Sequence, residues 1–282
     1  MSHATATNFL NVTHKARVAA AAVVPPLLIK AYLVTYNVLS AAGWSLVLYR
    51  TLSYLLALQT LERTPVSFLA ALKASASPFL WIPSFVPASL VPLYQRACTT
   101  YDAVSGTTAR VQTAAVLEIL HVLLGFVRSP LSTTAVQVAS RLFSVWGIAA
   151  YFPSAQHSPF YASMVLSWAL TEVIRYTYYA ASLVGWEPAA LVWARYSTFF
   201  VLYPTGAGSE ALVNFATLPL SVASGGSWFS ALPIAQWDAY ALLRAVLFVA
   251  WWPGLYPMYT HMIKQRRKVF GGQKLGAKPK TL

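Results

Sequence analysis

The chain has 282 residues, of which 57% are hydrophobic and 10% are charged, whereas charged residues make up roughly 25% of an average soluble domain. Aromatic residues make up 14% of the chain. Such residues are enriched where membrane helices meet water, so this content also favours a membrane protein. This composition excludes an ordinary soluble domain and predicts an all-α, polytopic membrane protein. The net charge of +13 is uneven, with seven Lys and Arg in the last nineteen residues. A basic tail (263–282) directly after an apolar segment favours a cytosolic end over nucleic-acid binding.

Apolar windows of about twenty residues predict six membrane-spanning helices in one membrane-embedded domain, 1–282. An even number of spans returns the chain to its starting side, so both termini are predicted to be cytosolic. No signal peptide is expected at the N-terminus. The predicted spans lie near 27–49, 110–128, 131–152, 160–184, 190–216 and 238–262.

The region 51–109 fits this pattern poorly. Its apolar runs at 65–72 and 79–93 are interrupted by four prolines between 78 and 92. Proline disrupts a helix interior, so these runs predict interfacial or re-entrant structure rather than a span. A further pair of spans is the alternative.

Several charged and polar residues fall inside the predicted spans, where they are costly and often functional. Three acids and three arginines predict pairing between helices, with Glu118–Arg141 and Glu172–Arg175 as the expected pairs and His121 as a hydrogen-bonding partner of Glu118. Such pairs can be structural, or they can line a polar cavity that receives a substrate head group. The supporting candidates are Glu118, His121, Gln137, Arg141, Glu172, Arg175, Tyr176, Arg195 and Tyr196.

Tyr203 and Glu210 stand apart because helix-disrupting residues lie between them. On an unbroken helix, seven residues separate two side chains by about 10 Å along the axis, too far for both to act on neighbouring atoms. Pro204, Gly206 and Gly208 therefore predict a kink or an unwound turn that brings the phenol and the carboxylate together at a pocket. The alternative is a proline kink with a Glu that reaches the interface.

The residues that several other enzyme classes require are absent from this sequence. The five histidines form no HxxH cluster, and the single Cys98 has no arginine six residues on, so neither a membrane di-iron enzyme nor a cysteine phosphatase is indicated. No nucleotide-binding glycine motif is present. The sequence predicts no metal and no cofactor.

Four long motifs carry a family resemblance. The chain resembles the very-long-chain (3R)-3-hydroxyacyl-CoA dehydratase family, also labelled protein tyrosine phosphatase-like. The resemblance reaches all six predicted spans, including YNVLSAAGW at 36–44, but not 51–109. The motifs are LEILHVLLGFVRSPLSTTAVQVASRLFSVWGI (117–148), SWALTEVIRYTYYA (167–180), WARYSTFFVLYPTGAGSE (193–210) and HMIKQRRKV (261–269).

The resemblance implies a hydro-lyase of fatty-acid elongation, which converts a 3-hydroxyacyl-CoA to a trans-2-enoyl-CoA. The family's catalytic tyrosine and glutamate fall on Tyr203 and Glu210. The chemistry needs one group to take the C2 proton and another to protonate the departing hydroxyl. We assign the first role to Glu210 and the second to Tyr203. The reverse assignment, or polarisation of the thioester carbonyl by Tyr203, stays open.

The resemblance also implies a multi-pass protein of the endoplasmic-reticulum membrane whose partners are membrane lipids and other elongation enzymes. The last five residues, KPKTL, have the K-x-K-x-x form of a retrieval signal. Basic residues at the cytosolic mouth, such as Arg128, Arg266, Arg267 and Lys268, could attract the CoA phosphates. The alternative function is a non-catalytic scaffold or lipid-binding protein on the same fold.

Overall fold

The computed structural model describes residues 25–56, 87–219 and 237–271, and every regular element in these ranges is helical. The α-helices are α1 (Pro26–Leu55), α2 (Val91–Ala114), α3 (Val116–Leu123), α4 (Leu131–Leu142), α5 (Pro153–Gln156), α6 (Pro159–Val184), α7 (Ala189–Ser197), α8 (Phe199–Phe215) and α9 (Ala239–Phe270). A 3₁₀ turn, Ala88–Leu90, precedes α2, and a π-helical segment, Phe143–Ala149, continues α4. The expected all-α class is confirmed for this part of the chain.

Prolines and caps fix where several helices begin. Pro26, Pro92 and Pro159 occupy the first turns of α1, α2 and α6, where the missing amide hydrogen has no helical partner to lose. Asp238 caps α9 by accepting a 2.6 Å hydrogen bond from the amide of Ala241. Helix α6 ends at Gly185, whose φ of 82° lies in the left-handed region that glycine adopts without strain.

Five of the six predicted helical regions agree with the structure apart from their ends and one interruption. Helix α9 runs eight residues beyond the predicted limit of 262, and the predicted region 190–216 is interrupted at Thr198, between α7 and α8. The stretch 221–230, whose serine- and glycine-rich sequence predicts a loop, lies outside the described residues.

The predicted start of the second span is wrong. Helix α2 begins at Val91 rather than near 110, so the part of 51–109 from Val91 onward belongs to a helix that packs against α1 and α6. Residues 57–86 lie outside the described ranges. The apolar windows missed α2 because its sequence is rich in threonine, and Thr100, Thr108 and Thr113 donate to carbonyls four residues back in the helix. Helical threonines of this kind satisfy their own hydroxyl groups, so a polar sequence is compatible with burial.

Helix α6 is central to the packing, because it contacts α1, α2 and α8. Its residues Met164, Val165 and Trp168 are buried in the main apolar cluster together with Trp44 of α1 and Val213 of α8. The position of α6 matters for function because one face of it carries the ion pair Glu172–Arg175.

One end of the bundle is rich in exposed cations, and we call it the basic end. Near the end of α6, the ring of Tyr176 lies 6.0 Å from that of Tyr36, near the start of α1. Two residues further on, Tyr178 lies beside Tyr196 of α7, whose ring contacts Phe270 at the end of α9. The start of α1 and the end of α9 therefore lie at the same end of the bundle. The exposed basic residues there are Lys30, Arg128, Lys264, Arg267 and Lys268.

The exterior of the bundle is apolar. Val246, Val249 and Tyr256 on α9 are among many large apolar side chains that face outward, and exposed apolar surface on this scale marks contact with protein or lipid. Helices α1 and α9 are long and apolar enough to cross a membrane on length and composition alone. Together these features indicate a membrane protein.

Candidate active site

Helix α8 lies close to α6 because small residues line their contact. A Cβ added to Gly206 would lie 3.4 Å from the Cβ of Ser167, so there is little space between the two helices at this point. Ser209 donates to Ser163 at 2.8 Å, and the hydroxyls of Thr205 and Ser167 are 3.1 Å apart. Glycine and serine at a helix contact let backbones approach closely, and this contact fixes α8 against the charged face of α6.

Of the two alternatives predicted between Tyr203 and Glu210, the unwound turn is wrong, and the kink stays a prediction. Phe199–Phe215 is one continuous α-helix with Pro204 inside it. Neither Gly206 nor Gly208 has a positive φ. The nearby Thr205 hydroxyl donates to the carbonyl of Val201 at 2.8 Å, which satisfies one backbone acceptor beside the proline.

Tyr203 and Glu210 therefore lie two turns apart on one face of an unbroken helix, about 10 Å along its axis. Both side chains are partly buried, and the carboxylate lies within Coulombic range of the phenol. Helical side chains lean toward the N-terminus of their helix, so Glu210 leans toward Tyr203 while Tyr203 leans in the same direction, away from Glu210. The phenol and the carboxylate are therefore not brought side by side as the sequence predicted, and a substrate that meets both would have to lie between them, with one group at each end of the reacting bond.

Glu210 has a specific neighbour on α6. The indole Nε1 of Trp168 donates a 2.6 Å hydrogen bond to its Oε1. The guanidinium of Arg141 lies over the Trp168 ring, 5.1 Å from the centroid, and within Coulombic range of Glu210. Three helices, α4, α6 and α8, thus contribute side chains around one carboxylate.

A network of ion pairs adjoins this carboxylate. Glu172 accepts from Arg141 on α4 and, at 2.6 Å, from Nε of Arg175 one turn along α6. Arg175 also donates to both carboxylate oxygens of Glu118 on α3, at 2.6 and 3.1 Å. The alternating order Glu118, Arg175, Glu172, Arg141 contains two acids and two arginines, so its formal charges cancel.

Glu210 is chemically distinct from these acids. Among the described residues, Glu118 and Glu172 form ion pairs with arginine, whereas Glu210 forms none. Its direct partner is a neutral N–H group. A carboxylate without an ion-pair partner is the one that remains available to accept a proton from a substrate.

The predicted charge pairs are confirmed only in part. Glu172 pairs with Arg175 as expected, because residues three apart on one helix are neighbours whatever the tertiary fold. The predicted pair Glu118–Arg141 is wrong. Glu118 pairs with Arg175 and Arg141 pairs with Glu172, since α6 carries the central residues of the network.

Aromatic residues close the network at the basic end. Tyr176 donates to Glu118, and its ring lies 6.0 Å from that of Tyr36. His121 bonds to Tyr32, with 2.8 Å between Nε2 and the phenol oxygen, so the expected hydrogen bond from His121 to Glu118 is wrong. His121 therefore acts as a structural link between α1 and α3.

Three predicted supporting residues lie away from the network. Gln137 is exposed on α4. Arg195 stacks on Tyr179 at 5.6 Å and forms no ion pair with an acid among the described residues. The ring of Tyr196 lies against Phe270 at the end of α9, with centroids 6.4 Å apart.

Sequence reasoning missed Trp168 as a residue of the site. The available signal was its position four residues before Glu172, which places both on one face of α6. Its contact with Glu210 depends on how α6 and α8 pack, and no spacing within either helix reveals that. The expectation of no metal site stays a prediction, although the described ranges contain no cluster of three His, Cys, Asp or Glu side chains.

The fold and site define a helical membrane protein in which a tyrosine and a carboxylate face a neutralised charge network. No solved structure is detectably similar to it. A family model described as protein tyrosine phosphatase-like protein, PTPLA, matches residues 112–272. That match spans more than half of the chain, and the chain belongs to this family.

Curated relatives support the same assignment over most of their length. A probable very-long-chain (3R)-3-hydroxyacyl-CoA dehydratase of Schizosaccharomyces pombe is 40% identical over 195 residues, covering 68% of this chain and 88% of the relative. The Arabidopsis thaliana dehydratase PASTICCINO 2 is 33% identical over 248 residues, covering 87% and 95%. Human very-long-chain (3R)-3-hydroxyacyl-CoA dehydratase 2 is 38% identical over 161 residues, covering 56% and 63%.

Proposed function

We propose that this chain is a hydro-lyase that converts very-long-chain (3R)-3-hydroxyacyl-CoA to trans-2-enoyl-CoA in fatty-acid elongation. Relatives named as dehydratases of this substrate support the proposal. The observation that carries it is the pair Tyr203 and Glu210 on one face of α8, where Glu210 lies beside the ion-pair network without an arginine partner of its own. Dehydration requires one proton acceptor and one proton donor, and this pair supplies both.

In the proposed reaction Glu210 takes the proton from C2 of the thioester. The electron pair of that C–H bond forms the C2–C3 double bond as the C3–O bond breaks. Tyr203 gives its phenolic proton to the departing hydroxyl, which leaves as water. Water then takes the proton from Glu210 and returns one to the Tyr203 phenolate, which restores both groups, so the cycle consumes nothing except the substrate.

One contact of Glu210 favours this assignment. Glu210 accepts a hydrogen bond at Oε1 from a neutral indole, which stabilises its ionised, acceptor form. Tyr203 lies closer to the basic end than Glu210 does, because α8 begins near Ser197 and Arg266. A substrate whose thioester points toward the basic end would place its carbonyl and C2 nearer the phenol and C3 nearer the carboxylate, so this order along the helix favours the reverse assignment, which stays open.

We propose that the CoA moiety lies at the basic end and the acyl chain extends among the helices. CoA carries several phosphate charges, and the exposed Arg128, Lys264, Arg267 and Lys268 lie at this end. Such a cluster attracts an anionic ligand at a rate that falls with ionic strength. The apolar interior is suited to the acyl chain.

We also propose that all six helical regions cross the membrane of the endoplasmic reticulum with the basic end in the cytosol. The start of α1 and the end of α9 lie on the same side of the bundle, and cytosolic loops are enriched in Lys and Arg. In that setting the partners are membrane lipids and the other enzymes of the elongation cycle.

Turnover of a long-chain 3-hydroxyacyl-CoA by purified protein in detergent tests the proposal. Tyr203→Phe and Glu210→Gln should each lower kcat by at least about 100-fold, the range lost with a general acid or base. Tyr256→Phe and Glu187→Gln change the same residue types at exposed positions and should retain full activity.

Full activity in both site variants would refute the assignment of Tyr203 and Glu210. A folded parent protein that binds lipid but shows no turnover would instead support a scaffold or lipid-binding protein on this fold.

A further inference from the structure

Trp168 is a buried residue whose polar atom points at the site. Its side chain is 2% exposed, and its Nε1 lies 2.6 Å from Oε1 of Glu210. An indole can donate one hydrogen bond and cannot accept a proton. The contact therefore distinguishes the two oxygens of this carboxylate.

The indole is held from more than one side. Arg141 lies over its ring at 5.1 Å, and Arg141 is itself bound to Glu172 on the same helix as Trp168. On the side of α8, a Cβ added to Gly206 would lie 3.9 Å from Cδ1 of the indole. With these neighbours in contact, the direction of the N–H bond is set by the packing of three helices.

We propose that Trp168 is a positioning residue for the dehydration, in that it occupies Oε1 of Glu210 and leaves Oε2 as the atom that receives the C2 proton. This inference rests on the proposed function. While the indole donates to Oε1, a proton on Oε1 would face an N–H group that cannot accept it. The proton from C2 therefore binds at Oε2, and it leaves from Oε2 when the phenol of Tyr203 is restored.

The same bond limits rotation of the carboxylate. A glutamate side chain has three rotatable bonds, and one charge-assisted hydrogen bond from a fixed donor selects among its conformers. Trp168 thus acts on the rate of proton transfer rather than on the affinity for substrate.

The experiment removes the N–H group while the shape of the ring is kept. Trp168→Phe is the simple variant, and replacement of the indole by the isosteric benzothiophene keeps the bicyclic ring in case the smaller side chain disturbs folding. A hydrogen bond to a charged group is worth enough to lower kcat by about 10-fold to 100-fold, with KM expected to change less than about 2-fold if the bond acts only on catalysis.

The matched control is Trp146→Phe. Trp146 also donates an indole hydrogen bond, at 3.0 Å to Thr113, but it contacts no residue of the site, and its loss should leave kcat unchanged.

A second background separates positioning from a structural role. Glu210→Asp withdraws the carboxylate by one methylene group, so the indole no longer reaches it. In that background the change at Trp168 should lower kcat by less than about 3-fold, because two changes that remove one interaction are not additive.

An unchanged kcat in both Trp168 variants would overturn the inference. An equal loss with and without Glu210→Asp would do so as well, because it would mean that Trp168 acts independently of Glu210. A folded parent without dehydratase activity would refute the proposed function itself, and that outcome is distinct from either of the others.

Discussion

Two neighbouring turns of helix α6 contact carboxylates in different ways, one through ion pairs and the other through a neutral hydrogen bond. Around Glu172 and Arg175, each carboxylate meets a guanidinium and each guanidinium meets a carboxylate. One turn earlier, Trp168 gives Glu210 a single neutral N–H. The first region resembles a structural ion-pair network, in which every charge is compensated.

We infer from this contrast that the ion-pair network stabilises the bundle and that Glu210 carries the chemistry, a separation of roles that we call the division. A compensated network holds α3, α4 and α6 together and presents Arg141 at its edge. The carboxylate next to that edge keeps its capacity to exchange a proton because no arginine is bound to it. The following variants test this division, beginning with the largest expected effect.

Glu172→Gln should destabilise the protein strongly. Its side chain is 3% exposed, and its loss leaves two arginines without their shared carboxylate. Breaking a buried ion pair costs about 3–5 kcal/mol. Thermal unfolding in detergent should show a large decrease in Tm, whereas Glu210→Gln should leave Tm close to that of the parent while activity is lost. Equal effects of the two variants on Tm would contradict the division.

Gly206→Val should weaken the contact between α6 and α8. The added side chain meets Ser167 at close range, and overpacking of this kind costs about 1–3 kcal/mol. Activity should fall because the distance from Trp168 to Glu210 increases. Gly208→Val is the control, since a Cβ at Gly208 meets nothing within 4 Å. Comparable activity in the two valine variants would mean that the α6–α8 contact at Gly206 does not determine the position of Trp168 relative to Glu210.

Arg141→Lys should have a smaller effect because the positive charge is kept. Lysine cannot both lie flat on the Trp168 ring and bind Glu172 as a guanidinium does. A loss of about 1 kcal/mol, or several-fold in kcat, is expected from the weakened cation–π contact. Arg195→Lys, at an arginine that stacks on Tyr179 away from the site, should leave kcat unchanged. If the kcat of Arg141→Lys equals that of the parent, the guanidinium of Arg141 does not contribute to catalysis.

Tyr32→Phe should have the smallest effect. It removes the hydrogen bond to His121, which is worth about 0.5–1.5 kcal/mol of stability. Activity should be unchanged because His121 belongs to the α1–α3 contact rather than to the chemistry. A marked loss of kcat with unchanged Tm would assign His121 a catalytic role instead.

The sequence predicted most of the helices and the residues of the pair, but not how they meet. Apolar windows located α1 and α9 because their exteriors are apolar, and α6 because much of it is buried among the other helices. They missed most of α2, whose threonines satisfy their hydrogen bonds within the helix. The unwound turn expected at Pro204 did not occur, since α8 continues through the proline and is held there by its close contact with α6 at Gly206 and Ser167.

Contacts within one helix were predictable, and contacts between helices were not. Glu172–Arg175 follows from a spacing of three residues. The partners of Glu118 and Arg141, and the contact of Trp168 with Glu210, depend on the rotation of each helix about its axis. That rotation is fixed by packing, for example by Gly206 against Ser167. It cannot be read from residue spacing within one helix.

The π-helical segment Phe143–Ala149 determines which side chains point inward before it and after it in the helix that carries Arg141. A π turn contains one more residue than an α turn, so each side of it presents a different face to the same neighbours. Arg141, before the segment, meets Trp168 and Glu172. Ile148 and Ala149, at its end, lie in the apolar cluster, and the carbonyl of Gly147 accepts from Tyr240 at 2.7 Å. In a uniform α-helix one residue shorter, these two sets of contacts would be out of register by about 100°. The extra residue is thus a spacer that lets a charged side chain and an apolar turn face inward on the same helix.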